Sequence, residues 1–124
     1  EVKNTMKIAQ EEIFGPVLSV IKYSTVDEAI SIANATTYGL AASVWSEDMG
    51  RAMEISQRIK AGTVWINEHH MLSPLYPFGG YKQSGIGREG GVEGLYDFTE
   101  IKHVYMDLVR KREGKFWYNL ACSG

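Results

Sequence analysis

The chain has 124 residues, 44% of them hydrophobic, and its 13 Lys and Arg against 15 Asp and Glu leave a formal net charge of −2. That length suits one domain or part of a larger one, and that hydrophobic share reads as globular rather than disordered. The slightly acidic balance argues against a nucleic-acid binder steered by a basic surface, and no apolar run approaches the ~20 residues a membrane helix needs.

"EVKNTMKIAQEE" opens the chain in polar material, without the apolar core of a signal peptide. It does not begin with Met and leads straight into a segment that reads as folded, which is expected of a piece of a longer protein. "VLSVIKY", Val17 to Tyr23, is rich in β-branched residues and bounded by Gly15-Pro16 and Ser24-Thr25, so it predicts a buried strand. "TVDE" follows with Thr25 as N-cap and Glu28 in the capping-box position, ahead of Val26, Ala29, Ile30 and Ala33 at helical spacing.

"LAASVWS", Leu40 to Ser46, is the next strand candidate. Asp48 can cap the following helix, whose apolar face would be Met49, Ala52, Met53, Ser56 and Ile59, and Gly62 sits where that helix ends. "TVWIN", Thr63 to Asn67, is a third strand. Strands alternating with ten-residue helices imply an α/β fold with a partial β-α-β-α-β unit and a mostly parallel sheet.

After Asn67 the texture changes to prolines, glycines and no periodicity, which reads as irregular chain. Gly91 to Phe98 predicts a short helix, and Thr99 to Val109 a long strand with one wetter face. The tail "RKREGKFWYNLACSG" is a charged knot followed by Phe116, Trp117 and Tyr118.

Within the irregular region, Gly85, Gly87 and Gly90 fit the G-x-G-x-x-G spacing of a dinucleotide-binding turn. Such a turn must follow a buried strand and open a helix, because the pyrophosphate rests on the helix's first amides. "FGGYKQS" is a poor central strand, so the better reading has these glycines letting a loop turn tightly against other backbone. A Rossmann-type oxidoreductase using Gly85, Gly87 and Gly90 is the competing reading.

"EEIFGPVLSV", "GTVWIN" and "PFGGYKQSGIGRE", in this order and at this spacing, resemble the aldehyde dehydrogenase superfamily over nearly the whole chain. The resemblance implies the C-terminal part of an NAD(P)-dependent enzyme that oxidises an aldehyde to an acid through a cysteine thiohemiacetal. It implies that the glycine stretch is a structural loop and that most of the NAD or NADP site lies on an earlier domain. By the same resemblance, Glu12 matches a carboxylate that accepts from the nicotinamide ribose hydroxyls, and Phe14 an aromatic packed against that ribose and ring. The plainer readings are a solvated loop acid, which suits Glu11, and simple packing for Phe14.

His70, Leu72 and Phe78 resemble positions lining an aldehyde entrance tunnel, against the plainer reading of a surface loop with one anchoring Phe. Lys82, Ser84, Arg88 and Glu89 belong to the recurring pattern and are assigned to fixing the loop by side-chain to backbone bonds. Residues 1–98 would then be the C-terminal part of the catalytic domain. Residues 99–124 would be an oligomerisation arm and tail, whose Thr99–Val109 strand adds to a partner's sheet in a homodimer or homotetramer. A stand-alone binding or oligomerisation module of the same fold is the alternative.

Three other features invite chemistry. Glu68-His69-His70 suggests a metal, but adjacent histidines on an extended chain point to opposite sides, so none is expected. The single cysteine, Cys122, excludes an internal disulfide and fits a reducing, cytoplasmic setting, but a terminal tail is a poor place for a nucleophile. No catalytic residue is expected in this chain: the nucleophilic cysteine, general-base glutamate and oxyanion asparagine would lie upstream. The short basic run Arg110, Lys111, Arg112 and Lys115 is diluted by Glu113, so a membrane or nucleic-acid partner is not expected.

Overall fold

A computed structural model describes residues 1–108 together with Lys111, Lys115 and Phe116. Its elements in chain order are α1 (Lys7–Gln10), α2 (Val26–Asn34), β1 (Tyr38–Gly39), β2 (Ala41–Val44), α3 (Met49–Arg58), β3 (Thr63–Ile66), β4 (Tyr81–Lys82) and α4 (Gly91–Tyr96). Cys122, Trp117, Tyr118, Val109, Arg110 and Arg112 lie outside the described residues.

The helices start where local chemistry says they should. The Thr25 side chain accepts from the Glu28 backbone N–H at 3.2 Å, and the Glu28 carboxylate accepts in return from the Ser24 N–H at 2.7 Å. The reciprocal arm therefore lands one residue before the cap itself. Asp48 caps α3 by accepting from the Arg51 N–H at 3.0 Å. Each such cap stabilises a helix by about 1 kcal/mol.

β2 and β3 run parallel, in the register Ala41↔Thr63, Ala42↔Val64, Ser43↔Trp65 and Val44↔Ile66, with α3 as the crossover between them. α3 packs on both strands and touches α2. Ala52 is fully buried at the centre of this contact, with Ile30 from α2 and Ala61 beside it. On α3 the inward positions are Ala52, Ile55, Ser56 and Ile59, whereas Met49 and Met53, expected on the apolar face, stand more than half exposed. The long thioether side chains slide off the edge of a two-strand sheet that is too narrow to cover them.

Two expected strands do not form ladders among the described residues. Val17–Tyr23 pairs with nothing, and Leu18 and Val20 are 86% and 67% exposed. Residues 99–108 likewise lie outside any strand, and Ile101, Val104, Met106 and Leu108 are exposed. The reason is shared: an extended segment becomes a strand only when its N–H and C=O groups find a neighbour. The α/β character and the parallel pair stand; the β-α-β-α-β unit is reduced here to α-β-α-β.

A second, antiparallel pair joins β1 to β4 through Tyr38↔Lys82 and Gly39↔Tyr81. It brings the glycine-rich loop against the start of β3, where chains approach very closely. A Cβ built on Gly62 would lie 1.6 Å from the Gly79 carbonyl oxygen, so only glycine fits there.

Candidate functional site

Three groups of residues carry the chemistry singled out above, and they occupy three places. The first is the turn after α1. The Glu11 carboxylate pairs with Lys7 at 3.4 Å, one helical turn back. Glu12 is exposed and has no hydrogen-bond or ionic partner among the described residues. It lies on the wall of an open hollow of about 300 Å³ with Ile8 and Ile13, which Phe14 does not line. Consecutive tight turns, Gly15 N–H to Ile13 O and Val17 N–H to Gly15 O, each at 2.8 Å, push Phe14 outward until 98% of it is exposed. An unpaired carboxylate can accept two bonds from a vicinal diol, and a bare aromatic face can take a flat heterocycle.

The second place is the glycine-rich loop. Gly85, Gly87 and Gly90 all have positive φ, of 118°, 81° and 70°. Their neighbours are protein. The Asp97 carboxylate accepts from the Arg88 backbone N–H at 3.1 Å, and a Cβ on Gly87 would come within 2.7 Å of that same carboxylate. The Gly91 N–H, at the start of α4, donates to the Pro74 carbonyl at 3.0 Å. Amides that a pyrophosphate would need are spent on the fold, and the segment ahead of the loop is an exposed two-residue strand, so the dinucleotide-turn geometry is missing.

Three of the four side chains assigned to fixing this loop, Lys82, Ser84 and Arg88, do so. Lys82 Nζ donates to the carbonyls of Asn34 and Thr36, both at 3.0 Å. Ser84 Oγ accepts from the Gly39 N–H at 2.9 Å, and Arg88 Nη1 donates to Gly80 O at 3.0 Å with its guanidinium 5.7 Å from the Tyr81 ring centre. Glu89 contributes through its backbone, exchanging N–H and C=O bonds with Phe78 at 2.8 and 2.7 Å.

The third place is the carboxyl end of the parallel pair. Here Asn67, with φ of 54°, turns the chain out of β3. Its side chain accepts from the Ser46 N–H and donates to the Ser46 carbonyl, both at 2.8 Å. His70 also has positive φ, 62°, and this breaks the extended alternation expected of two neighbouring histidines. Both rings lie against Trp65 instead, with centroids 5.6 Å (His69) and 6.4 Å (His70) from the indole. No three His, Cys, Asp or Glu side chains among the described residues form a metal-holding group.

Of the three residues read as tunnel wall, Phe78 lines the cleft of about 760 Å³ and His70 and Leu72 do not. Phe78 shares that cleft with Leu40, Leu95 and Phe98, while the His70 ring lies tilted toward Trp65 and Leu72 is half exposed. Sequence reasoning passed over Ser43, Trp65, Asn67, Asn34 and Asp97. One signal was available: an Asn just past a strand tolerates left-handed backbone and can bond a neighbouring chain.

Comparison with known proteins places these sites in context. The sequence model described as "Aldehyde dehydrogenase family" matches residues 1–104. The chain is 49% identical over 114 residues to a betaine aldehyde dehydrogenase of Bacillus subtilis, covering 92% of this chain and 23% of that protein. It is 50% identical over 110 residues to aldehyde dehydrogenase 1A1 of Rattus norvegicus, covering 89% and 22%. Among solved structures, the betaine aldehyde dehydrogenase of Staphylococcus aureus in complex with NAD+ superposes with a TM-score of 0.77 at 50% identity, over 78% of this chain and 19% of that one. An aldehyde dehydrogenase of Mycobacterium tuberculosis complexed with NAD+ gives 0.77 at 56% identity, over 81% and 20%. The chain thus spans about a fifth of the length of the proteins it matches.

Proposed function

The chain belongs to the aldehyde dehydrogenase family, and from that premise we propose that it is the C-terminal portion of an enzyme oxidising an aldehyde to a carboxylic acid with NAD+ or NADP+. In this reading residues 1–98 complete the catalytic domain and residues 99–124 form an assembly arm and tail, in a cytoplasmic homodimer or homotetramer. The nucleophilic thiol, the general base and the oxyanion donor come from segments outside this chain. The solved neighbours that carry NAD+ support NAD+ as the first cofactor to test.

The observation that carries the reading is the contrast between Glu11, ionically paired with Lys7, and Glu12, which is unpartnered two residues from a bare Phe14. A carboxylate left unpaired beside an uncovered ring suits a ligand that brings both a diol and a flat heterocycle. When bound, the nicotinamide supplies the hydride acceptor. Glu12 accepts from the ribose hydroxyls and fixes the sugar's rotation, and Phe14 covers the ring and excludes water from it. His70, Leu72 and Phe78 supply parts of the aldehyde entrance wall that the remaining polypeptide completes.

The test is steady-state kinetics on the full-length polypeptide that contains this chain. Glu12→Gln and Phe14→Ala should each raise KM for NAD+ by about tenfold, the worth of one hydrogen bond to a charged group or of a comparable ring contact, with little change in KM for the aldehyde. Unchanged NAD+ kinetics in both variants would remove the reading of this site. The isolated chain should form no NADH from any aldehyde, and turnover abolished by Cys122→Ala would contradict that.

A further inference from the structure

We propose that Ser43 and Trp65 are positioning residues of the aldehyde entrance, a seat on the parallel sheet that sets the path of residues 68–72 and so the placement of His70 and Leu72. Ser43 and Trp65 are register partners across β2 and β3. Directly paired residues in a sheet project from the same face, so the hydroxyl and the indole stand side by side. Both reach the same returning segment. The Ser43 hydroxyl and His69 Nδ1 share a hydrogen bond of 2.9 Å, and Trp65 Nε1 donates to the Met71 carbonyl at 2.8 Å. The indole edge also meets the His69 ring, with an interplanar angle of 70°.

A third fastening fixes where the segment begins. Asn67 grips both backbone polar groups of Ser46, at the exit of β2, and its own N–H donates to the Val44 carbonyl at 2.9 Å. Residues 67, 69 and 71 are therefore each tied to the sheet, so the ties flank His70 and end one residue before Leu72. His70 and Leu72 have no such hydrogen bond among the described residues: the His70 ring lies tilted against the Trp65 and His69 rings, and Leu72 is 48% exposed. The anchored residues hold the loop, and His70 and Leu72, free of such hydrogen bonds, are left to meet a ligand. This inference rests on the assignment of His70 and Leu72 to the entrance.

The consequence is selectivity set from behind the wall. Trp65→Phe keeps a ring but removes the donor to Met71, and Ser43→Ala removes the tie to His69. Loss of one hydrogen bond, about 1 kcal/mol, is worth roughly fivefold. In the full-length polypeptide each variant should change the ratio of kcat/KM for a bulky aromatic aldehyde to that for acetaldehyde by about fivefold, with KM for NAD+ unchanged. A purely structural role lowers the fraction of active enzyme and scales both aldehydes equally, so the ratio separates the two. Ratios within about twofold of the parent enzyme in both variants would overturn the proposal. If Trp65→Phe does not fold, Ser43→Ala, the smaller change, carries the same measurement. Failure of the parent enzyme to oxidise either aldehyde would instead sink the entrance assignment, and this inference with it.

Discussion

The Lys82 ammonium donates to the Asn34 carbonyl at 3.0 Å, closing the C-terminal end of α2 from 48 residues away in sequence. The last carbonyls of a helix have no intrahelical donor, and a cation there also opposes the negative end of the helix dipole. Lys82 itself holds a positive φ of 54°, a conformation that costs a non-glycine residue energy. The two carbonyl bonds, to Asn34 and Thr36, offset that cost.

Lys82→Met keeps the aliphatic stem and removes both bonds. We expect the last turn of α2 and the β1–β4 pairing to open more readily by about 1 kcal/mol, reduced from the buried-site value because the ammonium is exposed. Native-state amide hydrogen exchange would register this as faster exchange at Ile32–Asn34. Equal protection in the two proteins would count against it.

Two polar contacts between α2 and α3 should prove very unequal. Asn34 Nδ2 donates to the Arg58 carbonyl at 2.9 Å and Asn34 Oδ1 accepts from the Lys60 N–H at 2.7 Å. Asn34→Ala strands one backbone donor and one acceptor and should cost about 1–3 kcal/mol. The Asp27–Arg58 ion pair is shorter on paper but its side chains are 80% and 43% exposed. Asp27→Ala should cost less than about 1 kcal/mol, and less still in high salt. Melting temperatures at two ionic strengths would test the order, and a larger loss from Asp27→Ala would reverse the argument.

Gly87→Ala meets two obstacles at once. The backbone is left-handed there, with φ of 81°, and the new methyl would collide with the Asp97 carboxylate that holds the Arg88 N–H. The conformational penalty alone is about 1–2 kcal/mol. We expect lower thermal stability, with KM for NAD+ in the full-length polypeptide unchanged. A variant of normal stability that lost NAD+ affinity would restore the dinucleotide-turn reading of this loop.

The isolated chain should self-associate. Its buried apolar side chains among the described residues are only Ile30, Ala52 and Ala61, while Phe14, Leu18, Ile86, Phe98 and Ile101 are more than four-fifths exposed. Exposed apolar side chains in this number favour association that removes them from water. Light scattering at rising concentration should show growing particle mass. A constant monomer mass would mean that these side chains find shelter within the chain itself.

How much of this was readable from residue order divides along one line. Thr25 with Glu28, Asp48 with Arg51 N–H, and the spacing of Ile30 and Ala52 act within a few residues, so α2 and α3 followed from the sequence, as did β3 from its β-branched run and β2 from its place between the two helices. The glycine pattern was also legible as residue type and spacing, whereas the roles given to Glu12 and Phe14 came only from the family resemblance. The tertiary structure alone decided that Val17–Tyr23 and residues 99–108 lack ladders, since a strand is completed by a neighbour and not by its own side chains. It alone showed that His70 turns left-handed and that Ser43 and Trp65 face one segment together, because that depends on the register of two strands separated by a helix. Local hydrogen bonds and periodicity write themselves into the order of residues; pairing across the sheet exists only once the chain has folded.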